Sequence, residues 1–324
     1  MLHHGIYILS TNPLIISTIS DYPYTTKLPY KRFVTHLLEI SLPIWFRPRY
    51  VIEHVAGWSA PMYRMAKFQA RQVAHTLEGR QHHLMINARD EDRTRKSFLV
   101  RGAHFSANIY VNEHLYKPLD EPKLYDAIYT AQLAPFKRHH LAQNIEKLMI
   151  VSYGGNLHAF CPKLKHAEYN REFLPPSELA RKYNQAHAGL CLSAKEGAML
   201  ASCEYLLCGI PIVSTPSKGG RDEFFDDRTS IVVAPDPEKI AEAVQRWKDL
   251  SPDPKYIRGV VLQRMNSIRR DYCAYIARLI QKGGGGKKNP ELLMEKYFSG
   301  ANGIAGRFIK FEDLHNVDLE KFAL

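Results

Sequence analysis

The sequence predicts an α/β protein built from two Rossmann-like domains, the first of them short. Three observations carry that expectation. The 324 residues exceed one minimal core and fit two domains of ordinary size. An apolar share of 45% with a charged share of 24% belongs to a chain that can bury a core, not to a disordered one. From about residue 124 onward, short apolar β-type runs alternate with longer helical stretches, the pattern of a parallel sheet covered by helices.

In order, GIYILS (5–10) and RYVIEHVAG (49–57) read as strands, and PMYRMAKFQARQVAHTL (61–77) as an amphipathic helix. HHLMINA (82–88) reads as strand and RDEDRTRKSFLVRG (89–102) as helix. The second half parses more cleanly. LYDAIYTAQL (124–133) is strand, RHHLAQNIEKL (138–148) helix, and LMIVSYGG (148–155) a strand ending in a glycine turn. PSELARKYNQA (176–186) opens as a helix should, AGLCLSA (188–194) is strand, ASCEYLLCG (201–209) is a helix closed by Gly209, and IPIVSTP (210–216) is strand. SIVVAP (230–235) and the helix DPEKIAEAVQRWKDL (236–250) complete about five strands, enough for one doubly wound domain. GGGGKK (283–288) ends a further helix and reads as a flexible loop or hinge. The expected division is 1–118, 119–282 and a C-terminal segment 283–324.

Lys and Arg number 44 against 33 acidic residues, a net charge of +11 that suits an anionic partner. A phosphorylated small molecule, a nucleic acid and an anionic membrane touched at its periphery all satisfy it. The absence of a DNA- or RNA-binding motif argues against nucleic acid. No G-x-G-x-x-G turn follows the first strand, which argues against a nicotinamide dehydrogenase. Five cysteines, all after residue 160 and without a C-x-x-C pair, predict neither a disulfide framework nor a zinc site, and so a reducing, cytoplasmic setting. The amino terminus shows no signal peptide, and no run approaches the roughly 18 apolar residues of a membrane span. The pairs His3-His4, His82-His83 and His139-His140 put neighbours in different directions, so no metal site is expected.

The most informative stretch is KEGAMLASCEYLLCGIP (195–211), where Glu196 and Glu204 flank a strand-to-helix junction. Glu196 and Gly197 follow a strand of the parallel sheet, at the carboxyl edge where such sheets bind ligands. Gly197 permits a tight turn, and the N–H groups opening the next helix form an anion site. Glu204 lies deeper in that helix among Ala201, Cys203, Leu206, Leu207 and Cys208, an unusually apolar setting for a carboxylate. There it could accept hydrogen bonds from vicinal ribose hydroxyls. Gly219, Gly220 and Arg221 follow as a second glycine pair with a cation available to an anion, and His54 ends a strand where it could meet an acceptor.

The E-x7-E pattern, followed by CGIPIVST and the Gly219-Gly220 pair, resembles the donor-site motif of family 4 retaining glycosyltransferases. The likeness runs over about residues 107–250: YTAQLAPFKRHHLA resembles that family's G-R-L-x-P-x-K-G segment, and SYGG its glycine turn. The resemblance implies a GT-B fold, two Rossmann-like domains facing a cleft, with residues 119–282 binding a nucleotide-sugar. It implies that Lys137 grips the donor diphosphate, that Glu196 binds the transferred sugar and Glu204 the ribose. Gly197, Ala198 and Met199 would offer backbone N–H groups, Gly154 and Arg138 would also bind the donor, Arg138 in place of the missing arginine, and His54 would lie on the acceptor side. The implied activity is metal- and cofactor-independent transfer of a sugar from a nucleoside diphosphate sugar to an unidentified acceptor hydroxyl, with retention, in polysaccharide or glycoconjugate synthesis. Three departures stand out: the family arginine five places before Lys137 is Gln132, ILSTNPLI lacks the family's glycine loop, and the first domain is short. They motivate the alternative of a catalytically idle relative that binds a nucleotide or a partner.

Overall fold

The computed structural model describes residues 5–20, 46–55, 57 and 62–324; the His3-His4 pair lies outside them. The chain divides into two compact units, residues 1–112 with 267–324, and residues 113–266. The expected boundary at 118 falls six residues early, at 112, and the chain re-enters the first unit at 267 instead of forming a separate segment from 283.

The first unit opens with β1 (Gly5–Thr11), β2 (Leu14–Ser20), β3 (Tyr50–Val55), α1 (Met62–Leu77), β4 (Gln81–Ile86), α2 (Arg89–Ser97) and β5 (Gly102–His104). The second holds β6 (Tyr125–Thr130), β7 (Leu148–Val151), α3 (Leu157–Phe160), β8 (Glu168–Tyr169), α4 (Pro176–Asn184), β9 (Ala186–Cys191), β10 (Lys195–Glu196), α5 (Leu200–Leu207), β11 (Ile212–Ser214), β12 (Lys218–Gly219), β13 (Ser230–Val232) and α6 (Pro237–Leu250). The long helix α7 (Pro254–Lys282) starts in the second unit and ends in the first, which α8 (Pro290–Phe298) and β14 (Phe308–Lys310) complete.

The sheet of the first unit has the order β14-β1-β2-β3-β4-β5. Strands β2 to β5 run parallel, whereas β1 is antiparallel to both its neighbours. Only Asn12 and Pro13 separate β1 from β2, so the first strand turns back as a hairpin instead of leading into a helix. This is why ILSTNPLI carries no glycine loop. The first parallel strand is β2, LIISTIS, which the sequence pattern did not single out. One face buries Ile6, Ile8, Leu14, Ile16 and Val51 with Ile309 and Leu314 from the returning chain. Farther along the same face, Val55, Leu84 and Ile86 pack against Met65 and Phe68 of α1. Each such side chain, fully buried, is worth about 1.5–3 kcal/mol of transfer free energy.

The glycine run caps the end of α7. The N–H groups of Gly283 and Gly285 bond the Leu279 and Ile280 carbonyls at 3.0 Å, closing α7. Gly284 and Gly286 adopt φ of +90° and +75°, open to glycine at no steric cost, and side chains at 283 and 285 would strike Pro13 of the β1–β2 turn.

The sheet of the second unit runs β13-β11-β9-β6-β7-β8, every pair parallel. Numbered within the unit, leaving out the β10–β12 pair, this is the doubly wound order 3-2-1-4-5-6. It contains the five expected strands and β8 as a sixth. The order reverses between β6 and β9, and the paired β10 and β12 sit just beyond it as a separate two-stranded ladder. The expected helix over 138–148 is replaced by two 3-10 turns, Pro135–Lys137 and His139–Ala142. Arg138 between them has φ +54° and ψ +43°, a left-handed conformation that a right-handed helix cannot pass through.

Helix α5 lies close on the sheet because Gly189 of β9 has no side chain: a methyl there would overlap the Tyr205 ring. That approach lets the Tyr205 hydroxyl accept from the Thr130 N–H at 2.7 Å, at the carboxyl end of β6. The far end of α5 is capped by Arg258, whose guanidinium donates to the carbonyls of Leu207, Tyr116 and Glu113 at 2.7–2.8 Å.

Candidate functional site

Two of the residues singled out in the second half, Lys137 and Glu196, meet at the reversal of strand order. Lys137 ends the turn that follows β6, and Glu196 lies five residues beyond the end of β9. Their side chains meet: Lys137 Nζ is 2.5 Å from Glu196 Oε2, with side-chain exposures of 11% and 15%. A pair so far withdrawn from water is held by the backbone on both sides. The Tyr129 hydroxyl donates to the Lys137 carbonyl at 2.7 Å, and Glu196 is anchored through the β10–β12 ladder opposite Gly219. Lys137 Nζ also stands 5.2 Å from the Phe136 ring centre, a cation-π contact. An ammonium and a carboxylate in contact at a strand-order reversal can receive an anion and a polyol in adjacent positions.

Gly197, Ala198 and Met199 form the entry to α5, with Met199 as its N-cap residue in an extended conformation. Ser202 folds back onto the Met199 carbonyl through its hydroxyl at 2.7 Å, which fixes that first turn. Glu204, one turn on, is half-buried and accepts a hydrogen bond from Tyr183 of α4 at 2.8 Å. Burial pushes its carboxyl up to about 7, against the opposing pull of hydrogen bonds from Tyr183 and Tyr116. The two tyrosines carry no motif of their own. The one available signal is the lone carboxylate in an otherwise apolar helix, which needs polar partners.

Gly154, φ +117°, stands in the turn after β7, with open space where a side chain would be. That turn is pinned by Asn170, which accepts from the Ser152 N–H at 2.7 Å and donates to its carbonyl at 2.8 Å. Gln132 is exposed in the loop after β6, where its carbonyl accepts from the Ala134 N–H at 2.8 Å.

Two arginines stand differently from expectation. Arg221 is fully buried, and protein atoms accept from all three of its nitrogens. A cation so engaged is not available to an anion. Arg138 directs its Nε to the Leu192 carbonyl at 2.5 Å and a terminal nitrogen to the Thr215 hydroxyl at 2.7 Å.

His54 belongs to the first unit and is buried within it instead of facing outward. Its Nε2 lies 3.0 Å from the Tyr110 hydroxyl, which in turn meets Tyr272 at 2.6 Å and Ser17 at 3.2 Å. Burial holds the imidazole neutral, down to about 3. Its neighbour in sequence, Glu53, is buried with Arg71 and His82, while His83 points the other way to Tyr275 at 2.6 Å. All five cysteines are buried and unpaired. Among the described residues, no helix is long and apolar enough to cross a membrane.

Residues 137–278 match the family model described as Glycosyl transferase-like. No curated protein matches the sequence. Among solved structures, the chain is similar to Anabaena Alr3699/HepE in complex with UDP, at TM-score 0.54 and 14% identity over 76% of this chain and 75% of that one. It is similar to the sucrose-phosphate synthase (tll1590) of Thermosynechococcus elongatus, at TM-score 0.51 and 15% identity over 73% and 66%. It is also similar to the pneumococcal O-GlcNAc transferase GtfA in complex with UDP and GlcNAc, at TM-score 0.51 and 13% identity over 72% of this chain and 52% of that chain. At these identities the likeness is one of fold: two α/β units of the GT-B type.

Proposed function

We propose that the chain is a retaining glycosyltransferase of the family 4 kind, moving a sugar from a nucleoside diphosphate sugar to an acceptor hydroxyl in polysaccharide or glycoconjugate synthesis. The observation that carries this reading is the contact between Lys137 and Glu196 at the strand-order reversal, just ahead in sequence of α5, which carries Glu204. The glycosyl transferase-like match over 137–278 and the UDP complexes of the structural relatives support it.

In this reading the diphosphate lies against Lys137 and the N–H groups of Gly197, Ala198 and Met199, and Glu204 accepts the ribose hydroxyls. Glu196 holds the transferred sugar. As the bond from the anomeric carbon to the diphosphate oxygen breaks, negative charge grows on that oxygen, where the Lys137 ammonium and the helix start stabilise it. The acceptor hydroxyl adds from the same face and gives its proton to the departing phosphate, so the configuration is retained without a protein base. Charge stabilisation comes from the chain itself, so no resident metal is required by this scheme.

Thermal shift against nucleoside diphosphates and their sugars tests it. A ligand at 100 times its Kd stabilises the folded state by about 2.7 kcal/mol, a clear rise in melting temperature. Loss of that rise in Lys137→Ala supports the site; no rise with any nucleotide in the wild type removes the reading. Gln132, where the family has arginine, favours a second reading of an idle nucleotide-binding relative. Binding without release of sugar or transfer to any acceptor would select it.

A further inference from the structure

The loops that bear Lys137 and Glu196 are not tied to each other by the sheet. The β9–β11 ladder ends at Cys191 and Ser214 and pairing resumes only at β10 and β12, so a gap at 192–194 and 215–217 separates the main sheet from the short ladder that holds Glu196. Two guanidinium groups occupy the place where the ladder stops. Arg221 donates to the Cys191 and Ser193 carbonyls at 2.9 and 2.7 Å on one side, and to the Ser214 hydroxyl and Thr215 carbonyl at 2.7 and 2.5 Å on the other. Its Nε reaches Asp222 at 2.6 Å. Arg138, next to Lys137, spans from the other direction to Leu192 and to the Thr215 hydroxyl.

The two arginines therefore fasten four segments into one rigid frame: the turn after β6, the loop after β9, the end of β11 and the bend after β12. Ser193, a contact of Arg221, lies three residues before Glu196. Rigid planar forks with fixed donor directions suit this task, and a lysine at either place could not reproduce it.

We propose that Arg221 and Arg138 are positioning residues that set the placement of Glu196 against Lys137, and through it the pose of the donor sugar. The proposal rests on the donor site assigned above. Neither side chain needs to touch the donor. A frame of this kind acts on the reacting geometry, where misplacement by about 1 Å can cost on the order of a hundredfold in rate.

The test uses the full chain with Arg221→Lys and Arg138→Gln, and two independent readouts. With uridine diphosphate and its sugars as probes, the nucleoside diphosphate Kd is expected to stay within about threefold while kcat for sugar release or transfer falls about tenfold or more. Amide exchange is expected to quicken over 192–197 and 214–219, with α6 unchanged. Unchanged kcat, or unchanged exchange at 192–197, overturns the proposal. So does a Kd that weakens in step with kcat, because that marks general loosening. A wild type that binds no uridine diphosphate counts against the donor reading alone, and the exchange measurement still decides whether the arginines hold the loop. Should the fully buried Arg221→Lys fail to fold, the half-buried Arg138→Gln carries both readouts.

Discussion

Tyr183 donates its phenolic hydrogen to the Glu204 carboxylate across 2.8 Å, joining α4 to α5. The carboxyl is raised by burial from the usual 4.5 to about 7, so the folded protein keeps a proton that the unfolded chain has already released. The unfolded state then binds fewer protons between those values, and stability falls as pH rises from about 4.5 to 7, then levels. Glu204→Gln is expected to remove that slope, worth up to about 3 kcal/mol, in urea titrations compared between pH 5 and 8. If the carboxylate accepts ribose hydroxyls, nucleoside diphosphate affinity also rises with pH up to about 7 in the wild type and becomes flat in the variant.

Lys137 and Glu196 should respond oppositely to their removal. Lys137→Ala is expected to lower kcat/KM by about a hundredfold or more, the scale of losing one charge stabiliser of the leaving group. Glu196→Gln frees the ammonium from its carboxylate, so affinity for free nucleoside diphosphate rises while sugar transfer is lost. Isothermal titration with the diphosphate and a turnover assay separate the two. Equal losses of binding in both variants would contradict the pairing as the resting state of the site.

His54→Ala should act on stability alone. It removes a buried ring and strips the Tyr110 hydroxyl of one partner, at about 2–4 kcal/mol in urea unfolding. Nucleoside diphosphate affinity is expected to be unchanged. A selective rise in acceptor KM without loss of stability would instead restore His54 as a surface contact.

Glu53 is the buried counter-charge of the first unit. Burial alone would raise its carboxyl, but Arg71 and His82 override it and hold the group well below the usual range. Its contribution is present above the ordinary carboxylate value of 4.5 and is lost as pH falls through its own, lower value. Glu53→Ala leaves Arg71 buried without this partner and is expected to cost about 3–5 kcal/mol at neutral pH. Chemical denaturation at pH 7 checks the magnitude.

The second unit was legible because its strands and helices follow one another closely along the chain. Glu196 and Gly197 could be placed at the carboxyl edge from that pattern alone. The first unit was less so, since β1 pairs Gly5 with Lys310 and no local signal links residues so far apart in sequence. LIISTIS has the composition of a strand but follows β1 after only two residues, so GIYILS alone stands out as a strand there. Arg138 and Arg221 look like surface cations in sequence. Their engagement depends on carbonyls exposed only where β9 and β11 part, a property of the folded sheet. The turn at 135–142 misled because its apolar spacing is helical, while the left-handed Arg138 is set by tertiary hydrogen bonds.

The pairing of β14 with β1 also sets an order of assembly on the ribosome. The six strands of the second unit's main sheet have all been synthesised once Val232 is added, whereas β1 waits for Lys310 to cover its outer edge. For most of translation the earlier unit therefore presents an unsatisfied strand, the kind of edge on which nascent chains stick to one another. The sheet of the inserted unit is thus complete in sequence well before the strand that closes the edge at β1 is made.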